Sequence, residues 1–587
     1  MMQWLAAVAL LVATAHAQPR ITYHLDLAKR QTHDVTIELV VPNAPSPLPL
    51  AMPVWTPGAY ELRNWGKNVT LLGARSSDGK ALDFRRTGPS TFVVNGHGQG
   101  TEVHVRYQVY AATLSDDGSF VDDRHAYLNG TSILLYSPPL IGQPTSLSID
   151  TPSGWQIATA LPSANNQYEA ASYETLVDGP IEVAEVGRLA EATLDVHQRK
   201  VDVVVDGMTT VPPRLLTDLA AILDAEVGLM GPPPWTRYLL LIHLEDGLER
   251  VGALEHASSS SVLVPRRALI GEPWKGDDVE SYEDLLYVIA HELFHAWNAR
   301  LLRPAELIAW DPLQPRPARS LWITEGLTEF FAHRAMLLSR RWSLRRWRAQ
   351  VCEEAVRAQL AARRGLSLEE DAELAWSSPS LAATDPDGYY ARGHLAALAL
   401  DVALSRSGGL VAVMRRLVAE ATQKGRPLAI DTERLATALG DATAAALLRR
   451  LAAGHDEVGE ARAALLPHGL ILRVADRPPV PFIGLGLELT RAAAGEPASL
   501  RVLRVIPGSA AQLAGLRPAD RILLVDGAAV TRSTLNTLES IPMNHRLTLQ
   551  IRRENRALTL TLTPEALILP RCTLDEEPTK QPYLLQR

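Results

Sequence analysis

The sequence has very little cysteine, with only Cys352 and Cys572 among its 587 residues. Two cysteines far apart in unrelated contexts exclude a disulfide-rich scaffold and a cysteine-based zinc site. We therefore expect a chain without disulfides. Apolar residues make up 47% of the chain and charged residues 21%, which is typical of a folded globular protein. This length predicts two to four domains.

The sequence also lacks an excess of basic residues and lacks a long apolar run. A net charge of -8, with both signs mixed along the chain, argues against nucleic acid as a partner and against a polybasic membrane patch. At the N-terminus, an apolar run from Trp4 to Ala13 precedes the small-x-small pattern Ala15-His16-Ala17. The run is too short to span a bilayer comfortably, so we predict a signal peptide over residues 1–17 rather than a membrane anchor. The expected location is secreted or periplasmic in a bacterium.

Three regions follow the signal peptide. In residues 18–185, apolar and polar residues alternate between turn clusters, which predicts an all-β, sandwich-like domain. Residues 186–470 contain strand-like segments and then helical periods from about Ser281 onward. Prolines near residue 480 mark a linker, and short strands return in residues 476–566, followed by a tail over residues 567–587. The fold class expected is a multidomain α+β protein with a mainly helical middle domain.

His291-Glu292-Leu293-Phe294-His295 matches the H-E-x-x-H pattern. Histidines four positions apart share one helical face, so both imidazoles can bind one zinc ion while Glu292 stands beside it as a general base. Chance would produce the pattern only about 0.03 times in a chain of this composition. We predict one catalytic Zn²⁺ per chain.

A catalytic zinc keeps three protein ligands and one open position. The candidate for the third ligand is Glu325, near the start of a second predicted helix after a proline-broken loop. Glu329, one turn later, either orients a ligand imidazole or is a solvated surface charge.

The metal helix His291 to Asn298, followed by Leu321-Trp322-x-x-Glu325-Gly326-x-Thr328, resembles the glycyl aminopeptidase family of PDZ-containing gluzincins. These enzymes are similar to thermolysin and to larger zinc aminopeptidases. Trp55-Thr56-Pro57-Gly58-Ala59-Tyr60 resembles the N-terminal signature of the family. The resemblance implies a thermolysin-like zinc peptidase domain over residues 186–470.

Two further segments resemble substrate-binding parts of that family. Gly252-Ala253-Leu254-Glu255-His256 is similar to the segment whose Glu holds the substrate α-amine, although Glu255 could also be an ordinary edge-strand carboxylate. Tyr390-Ala391-Arg392-Gly393 is similar to the element whose Tyr binds the oxyanion, a role that Tyr389 could hold instead. His256 is either a site residue or a half-exposed strand histidine.

The region over residues 476–566 resembles a PDZ domain. Gly484, Leu485, Gly486 and Leu487 match the loop whose backbone N–H groups can bind a peptide C-terminus beside an open sheet edge. The ordered segments that follow, through Leu523-Leu524-Val525-Asp526-Gly527, strengthen the match. A peptide C-terminus is therefore a candidate partner.

Together these features predict a zinc aminopeptidase that hydrolyses the N-terminal bond of peptide substrates and, by resemblance, favours Gly or Ala at that end. A zinc endopeptidase with the same chemistry is the first alternative, and Glu255 discriminates between the two. An inactive peptide-binding scaffold is the second alternative, and the intact ligands and Glu292 argue against it.

Overall fold

The fold is described from a computed structural model. The described residues are 20–164, 167–245, 252–270, 282–376, 388–476, 480–483, 485–490, 498–505, 509–531, 533–534, 538, 541–542, 544–554, 556–567 and 570–576. The predicted signal peptide, residues 1–17, and Gly484 lie outside these ranges.

The N-terminal part is built from strands, as the alternating pattern predicts. Val35, Ile37 and Leu39 occupy every second position of one strand and belong to the buried core. Ten strands form one sheet in the order β12-β13-β10-β1-β2-β7-β4-β5-β6-β3, and four form a second in the order β11-β14-β9-β8. The strands are β1 Ile21–Asp26, β2 Asp34–Ala44, β3 Leu48–Ala51, β4 Val69–Ser76, β5 Ala81–Arg86, β6 Thr91–Asn95, β7 Thr101–Tyr110, β8 Phe120–Val121, β9 His125–Leu128, β10 Thr145–Asp150, β11 Trp155–Thr159, β12 Ser163–Ala164, β13 Gln167–Ala170 and β14 Ile181–Glu185.

A five-stranded sheet follows in the order β15-β16-β17-β19-β18. Its inner strands β16, β17 and β19 are parallel, and β18 runs antiparallel to β19. Because β18 is the last strand in this order, Glu255 lies on an edge strand of the sheet as far as the described residues extend. The strands are β15 Leu189–Val196, β16 Arg199–Asp206, β17 Arg237–Leu244, β18 Gly252–Glu255 and β19 Ser259–Val264, with two short strands later in the chain, β20 Leu302–Pro304 and β21 Leu428–Ile430.

Helices dominate the rest of the middle region, which confirms the mixed α+β class. They are α1 Gly130–Ile133, α2 Tyr173–Val177, α3 Pro213–Met230, α4 Arg266–Ile270, α5 Tyr282–Phe294, α6 Leu321–Leu338, α7 Leu344–Ala362, α8 Leu368–Glu373, α9 Gly388–Ala403, α10 Gly409–Lys424, α11 Thr432–Leu439, α12 Ala442–Ala453 and α13 Glu457–Leu465. Among the described residues, no helix combines the length and the apolar character needed to cross a bilayer.

The chain separates into two compact units. The first contains the N-terminal sheets, the five-stranded sheet and α5, and the second contains α7, α9 and the C-terminal strands. Their ranges are Met1–Pro317, Phe331–Arg341 and Leu417–Ala429 for the first unit, and Ala318–Phe330, Trp342–Arg416 and Ile430–Arg587 for the second.

The C-terminal region contains the small sheet expected of a PDZ domain, around its own core of buried residues such as Val502, Ile522 and Leu549. The sheet order is β24-β25-β26-β28-β29, so β24 forms an edge among the described residues. The elements are β22 Leu470–Asp476, β23 Val480–Phe482, β24 Leu485–Thr490, β25 Ser499–Val505, α14 Ala510–Leu513, β26 Arg521–Val525, β27 Ala528–Ala529, β28 Leu547–Arg553, β29 Arg556–Leu562, β30 Glu565–Leu567 and β31 Pro570–Glu576.

The expectation of a chain without disulfides was wrong, because Cys352 and Cys572 form one. Their Cα atoms are 5.2 Å apart, within the range that a disulfide spans. Cys352 lies in α7, and Cys572 lies in β31, which pairs with β22 through Val474. The segment that we predicted as a tail therefore contributes a strand and one end of a covalent link. Sequence separation concealed this proximity.

Candidate active site and metal centre

Helix α5 carries the H-E-x-x-H segment in a buried position. Leu285, Leu286 and Ile289 supply its apolar face, and Glu283 and Asp284 lie in its first turn, where acidic residues complement the helix dipole. The helix ends at Phe294, so His291 and Glu292 lie in its last turn and His295 directly follows it. All three site residues are buried.

The ring of His295 is held by the backbone that follows the helix. Its Nδ1 lies 2.9 Å from the carbonyl oxygen of Asn298. Because a carbonyl oxygen only accepts hydrogen bonds, Nδ1 carries the proton and Nε2 carries the lone pair that can coordinate a metal ion. The ring of His291 lies near it, with a centroid distance of 4.5 Å.

The structure brings His291, His295 and Glu325 together. Each offers a potential ligand atom, and these atoms all lie within 4.8 Å of one another. Glu325 is in the first turns of α6, as the sequence predicted, and is buried. Two imidazoles and one carboxylate are a donor set that suits a catalytic zinc ion with an open fourth position.

Glu329 lies one turn after Glu325 on α6 and is only 8% exposed. This burial disfavours the interpretation of Glu329 as a solvated surface charge. Its role in orienting a ligand imidazole stays a prediction.

A second group joins the metal-site residues to the predicted substrate-binding strand. The ligand atoms of Glu255, Glu292 and His295 also lie within 4.8 Å of one another. Glu255 is the last residue of β18 and is 6% exposed. The strand carboxylate therefore lies beside the predicted general base.

Gly58 of the N-terminal signature packs directly against Glu255. A Cβ atom at Gly58 would overlap the Glu255 carboxylate, and the backbone φ of +97° is itself one that side chains rarely adopt. Nearby, the indole N–H of Trp55 donates to the carbonyl oxygen of Asp311 at 2.8 Å. These contacts give the glycine and tryptophan of that signature a physical reason. Gly58 allows the N-terminal loop to approach Glu255 on β18, and Trp55 attaches the loop to the segment that contains Asp311.

Arg300 and Asp178 form an ion pair behind Glu255 that sequence reasoning missed. Arg300 Nη1 lies 3.1 Å from Asp178 Oδ1, and its Nη2 lies 3.7 Å from Glu255 Oε1. Arg300 also donates to the backbone carbonyl of Glu255. Burial raises the pKa of the Asp178 carboxyl, but the Arg300 charge, His256 and the N–H of Ala257 together outweigh it, and the pKa is lowered overall.

His256 completes this network. It is buried, and its Nδ1 lies 3.3 Å from Asp178 Oδ1, while the N–H of Ala257 donates to Asp178 Oδ2 at 2.9 Å. The half-exposed strand histidine that the sequence allowed is therefore not what the structure contains. Only the proximity of Asp178 in space, and no local motif, could have identified this pair.

Helices α6 and α9 cross at a pair of glycines. A Cβ atom on Gly326 would overlap the backbone of Gly393, so only glycine permits so close an approach. Gly326 directly follows Glu325, and Gly393 lies one turn after Tyr390. Tyr390 is half-buried and Tyr389 is buried, with their rings 4.7 Å apart.

Arg392 of the Tyr-x-Arg-Gly segment is structural. Its fully buried guanidinium donates to Glu457 Oε1 at 2.8 Å and to Asp371 Oδ2 at 3.1 Å. These pairs hold α9 against its neighbours. The arginine thereby fixes the helix from which Tyr390 projects.

Three family models match the chain. The Peptidase M61 N-terminal domain matches residues 22–185, the M61 glycyl aminopeptidase model matches residues 284–396, and a PDZ domain model matches residues 501–553. Two of the three are models of M61 glycyl aminopeptidase domains. They confirm the resemblance drawn from the motifs and support a metallopeptidase.

One solved structure shares the fold over nearly the whole chain. The crystal structure of an aminopeptidase N family protein from Idiomarina loihiensis is 23% identical, has a TM-score of 0.76, and is matched over 96% of this chain and 99% of that one. An M1 zinc metallopeptidase from Deinococcus radiodurans is 18% identical with a TM-score of 0.44, over 74% of this chain and 94% of that one. A serine protease HTR4 from Bos taurus is 39% identical over 66 residues. That match spans 11% of this chain and 13% of the curated relative.

Proposed function

We propose that this chain is a zinc-dependent aminopeptidase. The observation that carries the proposal is the cluster of Glu255, Glu292 and His295, whose ligand atoms lie within 4.8 Å of one another. A carboxylate so close to the general base leaves room for a single residue between a substrate ammonium and the scissile bond. An endopeptidase needs no such anchor.

The charge balance around Glu255 supports an ammonium ligand. Glu255 and Asp178 contribute two negative charges, and Arg300 contributes one positive charge that lies closer to Asp178. One negative charge therefore remains beside the base, where a substrate α-ammonium can pair with it.

The space beside Glu255 supports a small N-terminal residue. A cavity of about 40 Å³ is lined by Trp55, Pro57, Tyr60 and Glu255 among others. This volume holds about three water molecules at about 10–15 Å³ each, which suits a hydrogen atom or a methyl group better than an aromatic ring. We therefore propose a preference for Gly or Ala.

The residues present fit one catalytic zinc ion held by His291, His295 and Glu325. When bound, zinc lowers the pKa of a coordinated water to about 7 and polarises the scissile carbonyl. Glu292 accepts the proton of the attacking water and passes it to the leaving amine. Tyr390 is half-buried whereas Tyr389 is buried, so we assign to Tyr390 the hydrogen bond to the developing oxyanion. Such an interaction is worth about 3 kcal/mol at comparable sites. Glu329 orients a ligand imidazole.

The C-terminal PDZ domain supplies a second peptide-binding surface in this proposal. Strand β24, with Leu485, Gly486 and Leu487, forms an edge of its sheet among the described residues, and an added peptide strand could pair with it. The disulfide between Cys352 and Cys572 supports export to an oxidising compartment such as the periplasm.

A substrate panel tests the proposal. Purified protein should cleave Gly- and Ala-p-nitroanilide, should cleave Leu- and Phe-p-nitroanilide more slowly, and should lose activity on chelation and regain it with zinc. N-acetyl-Ala-p-nitroanilide and internally quenched peptides with blocked termini are the matched substrates for the endopeptidase alternative. Equal rates on free and acetylated substrates would establish the endopeptidase instead, and activity in verified metal-free protein would end both proposals.

A further inference from the structure

A second cluster of metal-ligating side chains lies in the first unit, on residues other than the active-site residues. His125 on β9, Glu182 on β14, Asp206 on β16 and His243 on β17 converge there, and all four are buried. Register explains the convergence: Asp206 pairs directly with His243 across β16 and β17. The potential ligand atoms of His125, Glu182 and Asp206 lie within 4.8 Å of one another.

Three of these side chains have polar atoms that find no hydrogen-bond partner among the described residues. The atoms are both ring nitrogens of His243, Oε2 of Glu182 and Oδ1 of Asp206. Asp206 Oδ1 has an ion-pair partner, because it lies 2.5 Å from Arg188 Nε. His243 is 1% exposed and Glu182 is fully buried. Unsatisfied buried polar groups of this kind are rare because each costs free energy, so two that face each other need an explanation.

The distance between these atoms narrows the explanation. His243 Nδ1 lies 3.7 Å from Glu182 Oε2. A direct hydrogen bond would bring them to about 2.7–3.2 Å. A bridging water, with two hydrogen bonds of about 2.8 Å, would hold them about 4.5 Å apart. A zinc ion with bonds of about 2.0–2.2 Å to each would hold them about 3.4 Å apart at a tetrahedral angle and farther apart at wider angles. The observed separation fits the bridging cation best.

The remaining two side chains complete the donor set. His125 Nδ1 lies 4.0 Å from Asp206 Oδ2 and 3.0 Å from Glu182 Oε1, a hydrogen bond that a bound metal ion would replace. Arg188 donates to Asp206 Oδ2 at 2.7 Å and so neutralises that carboxylate. Glu182 is a fully buried carboxylate close to two imidazoles, and all three groups are donors that a divalent cation can bind.

We propose that His125, Glu182, Asp206 and His243 form a second, structural metal site that holds Zn²⁺ or a similar divalent transition-metal ion. Imidazole and carboxylate donors suit such ions, and four protein ligands in a closed setting are typical of structural rather than catalytic zinc. The ion links the sheet of β9 and β14 to that of β16 and β17. With this site, the proposed zinc content is two ions per chain, one catalytic and one structural.

Metal content tests the proposal on the full chain. After equilibration with zinc and removal of excess, elemental analysis should find two equivalents in the wild type and one in His243→Gln. It should also find one equivalent in His291→Ala, which lacks a proposed catalytic ligand. The double variant His243→Gln/His291→Ala should hold close to no zinc. His97→Ala is the matched control, because His97 is also buried in the first unit, where its Nε2 contacts the Pro45 carbonyl oxygen, but it belongs to neither proposed metal site.

Thermal melts give a second readout in the His291→Ala background, where only the structural site remains. Chelator should lower the Tm of that variant and should leave the Tm of His291→Ala/Glu182→Gln unchanged. The same zinc content in the wild type and in His243→Gln, whether one equivalent or two, would overturn the proposal. A failure of the proposed catalytic zinc is distinguishable, because the wild type would then hold one equivalent that His291→Ala keeps and His243→Gln loses.

Discussion

Replacement of Glu255 by alanine tests the proposed site for the substrate amine. Glu255 is 6% exposed and shares the single charge of Arg300 with Asp178, which lies closer to that charge. Truncating one partner of a buried charge pair typically costs about 2–5 kcal/mol. Since about 1.4 kcal/mol is a factor of ten, kcat/KM on Ala-p-nitroanilide should fall by about 30-fold to about 5,000-fold.

The comparison with acetylated substrate isolates the charge. Wild-type protein should discriminate strongly against N-acetyl-Ala-p-nitroanilide, and Glu255→Ala should discriminate much less, because the charge that reads the free amine is gone. Two enzymes measured against two substrates give the coupling directly. Zinc content and the melting temperature should stay close to wild type.

Glu174→Ala is the matched control. Glu174 lines the same cavity, but it is 43% exposed and pairs with Arg303 at 3.0 Å. Its removal should change kcat/KM on either substrate by less than about threefold, as expected of an exposed pair. If Glu255→Ala and Glu174→Ala behave alike, or if acetylation slows both enzymes equally, Glu255 does not bind the amine.

Three further predictions concern the metal, the helix crossing and acid stability. Glu292→Gln should keep zinc and lose several orders of magnitude in turnover. Glu325→Gln should instead lower the zinc affinity measured in a chelator competition. If the two variants show the reverse pattern, the roles assigned to Glu292 and Glu325 are exchanged. Gly326→Ala should lower the free energy of unfolding in urea by about 1–3 kcal/mol, because the new Cβ meets the backbone of Gly393. Gly228→Ala is the control, since its Cβ would meet open space among the described residues. It should be neutral or stabilising by up to about 1 kcal/mol. Asp178 has a lowered pKa, so its ionised form stabilises the fold above its ordinary pKa of about 3.9 and that contribution is lost as the pH falls through the lower folded-state pKa. Asp178→Asn should therefore melt below wild type at pH 7 and approach it in acid; a constant difference between the two would contradict this.

Local periodicity by itself determined the metal helix. His291, Glu292 and His295 depend only on spacing within one stretch of helix, and Glu325 depends on the start of a second helix. Alternating apolar residues likewise determined the N-terminal strands, because side chains of a strand point to opposite faces at every second position. These features are readable because neighbours in sequence are neighbours in space.

Tertiary structure decided what surrounds those residues. Arg300 and Gly58 contact Glu255 from distant parts of the first unit, and Asp178 pairs with Arg300 and His256 beside it. No local pattern marks any of them as partners. The prediction of a chain without disulfides was wrong for the same reason. The two cysteines are 220 positions apart and meet only through the packing of α7 against β31. The glycines of α6 and α9 are part of the sequence motifs. Their backbone contact, which leaves no room for a Cβ atom, exists only in the folded chain. Contacts between remote segments depend on how whole elements pack, and a sequence pattern with a period of two or four residues carries no information about that packing.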